Sequence, residues 1–315
     1  YSPAWIGRVP MLRSVFRLLP YLLALWRVAG SCGVMHVMAN SGWSWHLFAV
    51  PAIWIGRMRG VPVVVNYRGG EAGEFLARSH GAVRASMSHV AKLIVPSAFL
   101  QGVFGRFDMQ AEIVPNVVDL ARFRAREARH TDSQHLVVAR NLEPIYDNET
   151  ALRAFLAVQK RFPQARLTIA GTGPEEASLR ALAAALGIAD AVRFAGRLDR
   201  DAMAALYREA DLTLNASLAD NMPNSVLESL ASGVPVVSTN VGGVPFLLQD
   251  EVTALLVPPA DPVAMGAACV RLLEDGALWS RLAEAGSAEV QRYTWARVAP
   301  LLSKAYGSAM QQAKR

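Results

Sequence analysis

The chain has 315 residues, a length that suggests two domains at roughly 100–200 residues each. With 52% hydrophobic and 18% charged residues, disorder, collagen-like repeats and coiled coil are excluded as global descriptions. The net charge of +6 hides a split, because residues 1–130 hold 15 Arg or Lys against 6 acids while residues 131–315 hold 17 against 20.

In chain order, the run LRSVFRLLPYLLALWRV (12–28) is apolar but carries three arginines, so it is too short and too charged to span a bilayer. An amphipathic helix is expected, broken near Pro20. It lies either in a membrane interface through Trp26 and the arginines or on the domain surface with its arginines in water. The apolar runs VMHVMA (34–39), VPVVVNY (61–67), LIVPS (93–97) and AEIVPN (111–116) then read as buried strands, with a helix in SWHLFAVPAIWIGRMRG. The polar stretch 119–134 reads as a linker. After it a second strand–helix series runs regularly from HLVVARN to EVTALLVPP, and TWARVAPLLSKAYGSAM closes the chain as an amphipathic helix. The pattern is α/β with parallel sheets.

Cys32 and Cys269 lack C-x-x-C partners, so neither a disulfide framework nor a zinc knuckle is available, and a reducing, cytoplasmic compartment is expected. The six histidines show no metal-ligand spacing, and no G-x-S-x-G elbow or P-loop occurs. No metal is expected. The arginines of the basic half are scattered without a binding motif, which speaks against a nucleic-acid partner. The first residue is Tyr1 and no signal-peptide pattern follows it.

Ligands of open parallel sheets bind beyond the carboxyl ends of the strands, which directs attention to five loops. Gly171 and Gly173 follow LTIA, but Glu176 breaks the dinucleotide fingerprint. Asp220, Asn221, Met222, Pro223, Asn224 and Ser225 lead into a helix whose opening amides favour phosphate. Asp220 and Glu228, in the loop and the first helical turn, suit sugar or ribose hydroxyls, although Ser225 and Glu228 are equally spaced for a capping box. Gly242 and Gly243 follow PVVSTN. Arg140, with Asn141, follows HLVVA and could neutralise phosphate oxygens. In the basic half Arg68, Gly69, Gly70 and Glu71 follow VPVVVNY, beside Asn40 and Ser41 at the preceding strand end.

The series IVPNVVDLARF, ARNLEPIYDNETALRAF, LTIAGTGPEEASL, VRFAGRLD, LYREADLTLNASLADNMPNSVLESLASGVPVVSTNVGGVPFLL and VTALLVPPADP resembles the family 4 retaining glycosyltransferases, glycosyl transferases group 1. The resemblance covers the second half almost completely. It implies the GT-B fold, two Rossmann-like parallel-sheet domains facing a cleft. These are expected at 1–130 (acceptor side, with roughly its first 70–90 residues absent, and linker) and 131–292 (donor side), with a C-terminal helix at 293–315 returning to the first.

By the same match Asp220, Glu228 and Arg140 are the catalytic positions, Glu228 holding the ribose, Asp220 the donor sugar and Arg140 the phosphates. Asn221 to Ser225, Gly171, Gly173, Arg197, Gly242 and Gly243 are donor-binding, and Asn40, Ser41, Arg68, Gly69, Gly70 and Glu71 acceptor-side. Three departures stand out: Asp220 is shorter than the usual Glu, the lysine of R-L-x-x-x-K-G is replaced within Ile145 to Asn148, and Arg68 stands where many members carry a histidine. The implied activity is retaining transfer of a sugar from a nucleotide diphosphate sugar to a glycan or lipid-linked acceptor, in polysaccharide or glycoconjugate synthesis. No cofactor is expected, and a membrane surface is a candidate partner, at the cytoplasmic face. The alternative is a non-catalytic, glycosyltransferase-like binding subunit.

Overall fold

The computed structural model describes residues 10–125 and 134–312. Contacts divide the chain into two units, the first running to Val114 and resuming at Ala299, the second spanning Pro115–Val298.

The first unit opens with α1 (Pro10–Ala29). The helix runs through Pro20 instead of breaking there. Proline withholds one N–H, and beyond it Leu22, Leu25 and Ala29 pack on the unit's core, which keeps the following turns in place. Next come β1 (Met35–Ala39), a π-helical turn Trp45–Ala49 leading into α2 (Val50–Met58), β2 (Val63–Tyr67), α3 (Ala72–Met87), β3 (Lys92–Val95), α4 (Ala98–Gly105) and β4 (Glu112–Ile113). The strands form one parallel sheet in the order β1-β2-β3-β4. All five residues of β2 are buried, as a strand covered on both faces requires.

The second unit is β5 (His135–Ala139), α5 (Asn148–Arg161), β6 (Arg166–Ala170), α6 (Glu176–Ala185), β7 (Val192–Gly196), α7 (Arg200–Glu209), β8 (Leu212–Asn215), α8 (Asn224–Ala231), β9 (Val236–Thr239), α9 (Val244–Leu247), β10 (Leu255–Val257), α10 (Pro262–Glu274) and α11 (Gly276–Val290). The parallel sheet has the order β10-β9-β8-β5-β6-β7. The chain builds outward from β5 through β6 and β7, then returns to lay β8 on the other side of β5. Leu136 to Val138 therefore pair with Leu212 to Leu214, and the strand order reverses at this pair. Two apolar clusters, around Phe155 and Leu282 and around Tyr207 and Val226, make the core.

The expected boundary at 130/131 lies outside the described residues. What is described of the expected linker packs on the second unit: Phe123 is buried in its core, next to Val118 just before the linker and with Leu120 against it, because large apolar side chains in a polar stretch cannot stay in water cheaply. The last helix, α12 (Trp295–Gln312), joins the first unit from Ala299 on, where Tyr306 Oη lies 2.6 Å from His36 Nδ1.

Candidate functional site

In an open parallel sheet the ligand crevice lies where strand order reverses, at the carboxyl ends of the two central strands. Here these are β5 and β8, which aim Arg140 and the segment from Asn215 to Asp220 at one another. Arg140 Nε donates to Asn215 Oδ1 at 3.0 Å, and its terminal nitrogen donates to Asp220 Oδ2. The pair is largely buried, with side chains 11% and 12% exposed. Asp220 Oδ1 accepts the Asn221 N–H at 2.9 Å, while Ser217 Oγ stands 3.4 Å from Oδ2. The Tyr146 ring covers the guanidinium, with Arg140 Cζ 5.0 Å from its centroid. Arg140, read as a cation for phosphate oxygens, thus has a carboxylate partner in the largely buried Asp220. The stretch in which the family's lysine is replaced supplies the aromatic ring of Tyr146.

Glu228 sits in the second turn of α8, one turn later than expected. Tyr207 Oη lies 3.1 Å from the Ser225 carbonyl and 3.5 Å from Glu228 Oε2. Burial pushes the Glu228 carboxyl up to about 7, against the opposing pulls of Tyr207, Arg200 and Arg140. Burial likewise raises the Tyr207 phenol well above its usual value, and Glu228 adds to this. The capping box does not form: the N-cap is Pro223, Ser225 lies inside the helix, and no side chain caps the end. By contrast α5, α7, α10 and α11 each begin with an aspartate accepting a backbone N–H. The opening amides of α8 therefore keep their capacity for an anion.

The loop into α8 is tied down by a residue the sequence reading leaves without a role. Asn116 Nδ2 reaches the Met222 carbonyl at 2.7 Å and Asn224 Oδ1 at 2.9 Å. The signal was its place in IVPNVVD, next to the strand end. Asn221 and Met222 are buried, Ser225 is buried at the second position of α8, and Asn224 at its first is exposed.

The glycines serve backbone approach. A Cβ on Gly171 would lie 1.9 Å from the Arg140 carbonyl, and one on Gly173 would lie 2.2 Å from that of Leu142. Gly242, at φ +54°, stands equally close to the Asp220 carbonyl, and a Cβ on Gly243 would lie 2.0 Å from that of Asn221. Both pairs press on the loops that carry Arg140 and Asp220, which is why no side chain fits there. Gly243→Ala is expected to cost about 1–3 kcal/mol, read by urea unfolding, because it overpacks the backbone beneath Asn221. Arg197 is exposed just past β7, and none of the contacts above involves it. Arg200, four residues before Ala204 on α7, is the cation acting on Glu228 from that side.

In the first unit the expected acceptor-side residues gather at the ends of β1 and β2. Ser41 Oγ lies 2.6 Å from Tyr67 Oη, the Ser41 N–H donates to Asn40 Oδ1, and Arg68 N–H donates to the Ala39 carbonyl. Gly69 is required, since a Cβ there would lie 2.3 Å from Asn40 Oδ1. Burial raises the Tyr67 phenol to about 12 and lowers both Arg68 and His36, the latter also through the charge of Arg68. Gly70 and Glu71 follow at the start of α3. Glu71 and Ser41 border a hollow of about 460 Å³ with Trp43, His46, Glu74 and Arg78. Among the described residues no group of three or more His, Cys, Asp and Glu gathers as a metal site.

Two parallel-sheet α/β units, one with its polar cluster at a strand-order reversal, define the GT-B class. Solved structures agree: Anabaena HepE in complex with UDP-glucose has a TM-score of 0.77 at 16% identity, over 91% of this chain and 82% of that one. Sucrose-phosphate synthase from Thermosynechococcus elongatus scores 0.75 at 21% identity, over 94% and 78%. At such identities these likenesses show the fold.

Residues 133–275 match the family model glycosyl transferases group 1. It is 33% identical to D-inositol 3-phosphate glycosyltransferase of Salinispora tropica over 64% of its own length and 46% of the relative's. It is 29% identical to glycogen synthase of Mycobacterium tuberculosis over 84% and 67%. The chain spans about half the length of the D-inositol 3-phosphate glycosyltransferases it matches.

Proposed function

We propose that the chain acts as a family 4 retaining glycosyltransferase. It would move a sugar from a nucleotide diphosphate sugar to a glycan or lipid-linked acceptor in polysaccharide or glycoconjugate synthesis. The observation that carries this reading is the convergence of Arg140, Asp220 and Glu228 with the uncapped start of α8 at the β5/β8 reversal of a group 1 domain. The relatives' printed names describe glycosyl transfer, and HepE was solved with UDP-glucose.

In this reading Glu228 accepts the ribose hydroxyls, and the α8 amides with Asn221 to Ser225 receive the diphosphate and sugar. Asp220 and Arg140 form a charged pair that opens toward the donor, Asp220 turning to sugar hydroxyls and Arg140 to phosphate oxygens. As the bond from the anomeric carbon to the diphosphate breaks, negative charge builds on the leaving oxygens. Arg140, Arg200 and the oriented amides stabilise that charge, so the reading needs no metal or cofactor. The acceptor hydroxyl bonds to the anomeric carbon from the face the diphosphate leaves. Its proton passes to the departing oxygen, and configuration is retained. Asn40, Ser41, Arg68, Gly69, Gly70 and Glu71 are proposed to meet the acceptor.

The test is a thermal-shift panel of UDP-, GDP- and ADP-sugars, followed by NMR of the product anomer. A donor at 100 times its dissociation constant stabilises the fold by about 2.7 kcal/mol. No stabilisation by any donor rejects the reading, and donor binding without turnover by the full-length protein supports the non-catalytic alternative. An inverted product rejects the retaining assignment.

A further inference from the structure

We propose that the outer side of α1 and α2 in the first unit is a docking surface for an anionic lipid bilayer. This deepens the lipid-side part of the function proposed above by naming the surface, and lipid binding is read without any sugar transfer. On α1 the exposed residues Leu19, Leu23 and Trp26 fall at i, i+4 and i+7, one stripe along the helix. Leu23 is 58% exposed, so the stripe faces away from the core that Leu22, Leu25 and Ala29 join. On α2 Trp54 and Met58, four residues apart, are exposed in the same way, while Ala52, Ile53, Ile55 and Gly56 are buried.

The two helices are linked where these residues stand. Tyr21 Oη donates to the Phe48 carbonyl at 2.8 Å with the two rings edge to face, and the Arg59 guanidinium lies 5.1 Å from the centre of the Trp26 ring. Arg57 approaches Trp54 at 5.9 Å and bonds His89 Nδ1 at 2.7 Å, and His89 itself packs on Trp54 at 4.6 Å. Tryptophans with arginines at their faces suit the boundary between headgroups and acyl chains, where the indole is half buried and the guanidinium meets phosphate.

Charge selects the occupant. The first 70 residues contain seven arginines and no aspartate, glutamate or lysine, so nothing on these two helices repels an anionic surface. A protein partner would find apolar area without acidic or amide groups to set a register, whereas a bilayer asks only for depth and positive charge. No described helix is long and apolar enough to cross a membrane, which makes this a surface contact.

The test is co-sedimentation of the 315-residue chain with vesicles of phosphatidylcholine alone or with phosphatidylglycerol added. Sedimentation with the anionic vesicles, weakened by salt and much weaker with neutral ones, is expected. Arg57→Gln with Arg59→Gln should lower the partition about fivefold per charge, and Trp26→Ser with Trp54→Ser about tenfold or more. Circular dichroism and UDP-sugar thermal shifts of each variant check that the fold persists. Equal binding to both vesicle types, or variants that bind as the parent does, overturns the proposal. So does a concentration-dependent dimer in ultracentrifugation that the tryptophan variants abolish, since the face then belongs to a second copy. Loss of sugar transfer with lipid binding intact leaves this inference standing and rejects the function above.

Discussion

Glu228→Ala is expected to weaken nucleotide-sugar binding by about a hundredfold or more, since two hydrogen bonds to a charged group are worth about 1.5–3 kcal/mol each. Glu228→Gln separates charge from shape. Burial holds this carboxyl at about 7, so near neutrality a large fraction is protonated and cannot accept two hydroxyl donors. Binding by the parent protein should therefore tighten as pH rises toward 7, by up to about tenfold per unit, and level off above it. The diphosphate of a nucleotide sugar carries no proton that titrates in this range, so the slope reports the protein. Isothermal titration between pH 5.5 and 8.5 would read it. A flat profile in the parent, or the same slope in Glu228→Gln, would remove Glu228 from the ribose contact.

The same carboxyl links stability to pH. Its value in the fold lies above the ordinary 4.5, so the folded state holds the proton more tightly than the unfolded chain. This group's contribution is fully present below about 4.5 and is lost as pH rises to about 7, by on the order of 3 kcal/mol at most. Glu228→Gln should lack that part of the slope and be the more stable protein at pH 8, measured by urea unfolding at several pH values.

How much of this site could be read from the sequence follows from what kind of information each residue carries. The strands were legible because VVVNY and HLVVA are largely apolar runs, and Arg140 and Asp220 were legible because they follow strand ends, Glu228 because it lies in the helix after that loop and matches the family resemblance. The partners were not. Arg140 and Asp220 stand 80 residues apart, and they meet only because β8 returns to lie beside β5, a step that no periodicity records. Asn116, Tyr146 and Tyr207 were missed because their local pattern carries no sign of the contact: Asn116 ends the apolar run AEIVPN, Tyr146 stands six residues after Arg140, and Tyr207 lies within a helix. The helices α3 and α4 were hidden differently. Each contains two glycines, which cost about 1 kcal/mol apiece in a helix, and tertiary packing of Leu76, Val83, Leu100 and Phe104 outweighs them. The glycine pairs were legible as special positions, but the sequence could not tell a ligand's approach from that of the next loop's carbonyl.

Arg140→Ala should be the most damaging single change to the free protein, because it strands Asp220 in a site where both side chains are nearly buried. Removing one partner of such a pair costs about 3–5 kcal/mol. Asp220→Ala leaves the guanidinium uncompensated in turn, though Asn215 and the Tyr146 face still hold it. The double variant Arg140→Ala with Asp220→Ala removes both charges and should recover much of the lost stability, giving a coupling energy of about 2 kcal/mol or more in a double-mutant cycle. Arg140→Lys tests geometry: a lysine can meet Asp220 but cannot also donate sideways to Asn215, so partial stability without full transfer is expected.

The ligand arm distinguishes a structural pair from a donor-opened one. If phosphate takes over Arg140 when the donor binds, Asp220→Asn frees the guanidinium in advance. The nucleoside diphosphate should then bind the Asn variant at least as tightly as the parent while sugar transfer falls, as the proposed contact of Asp220 with the sugar requires. Should the nucleoside diphosphate bind Asp220→Asn and Arg140→Ala equally weakly, the pair is a strut holding β5 to β8, and the phosphate contact must be sought at Arg200 and the α8 amides.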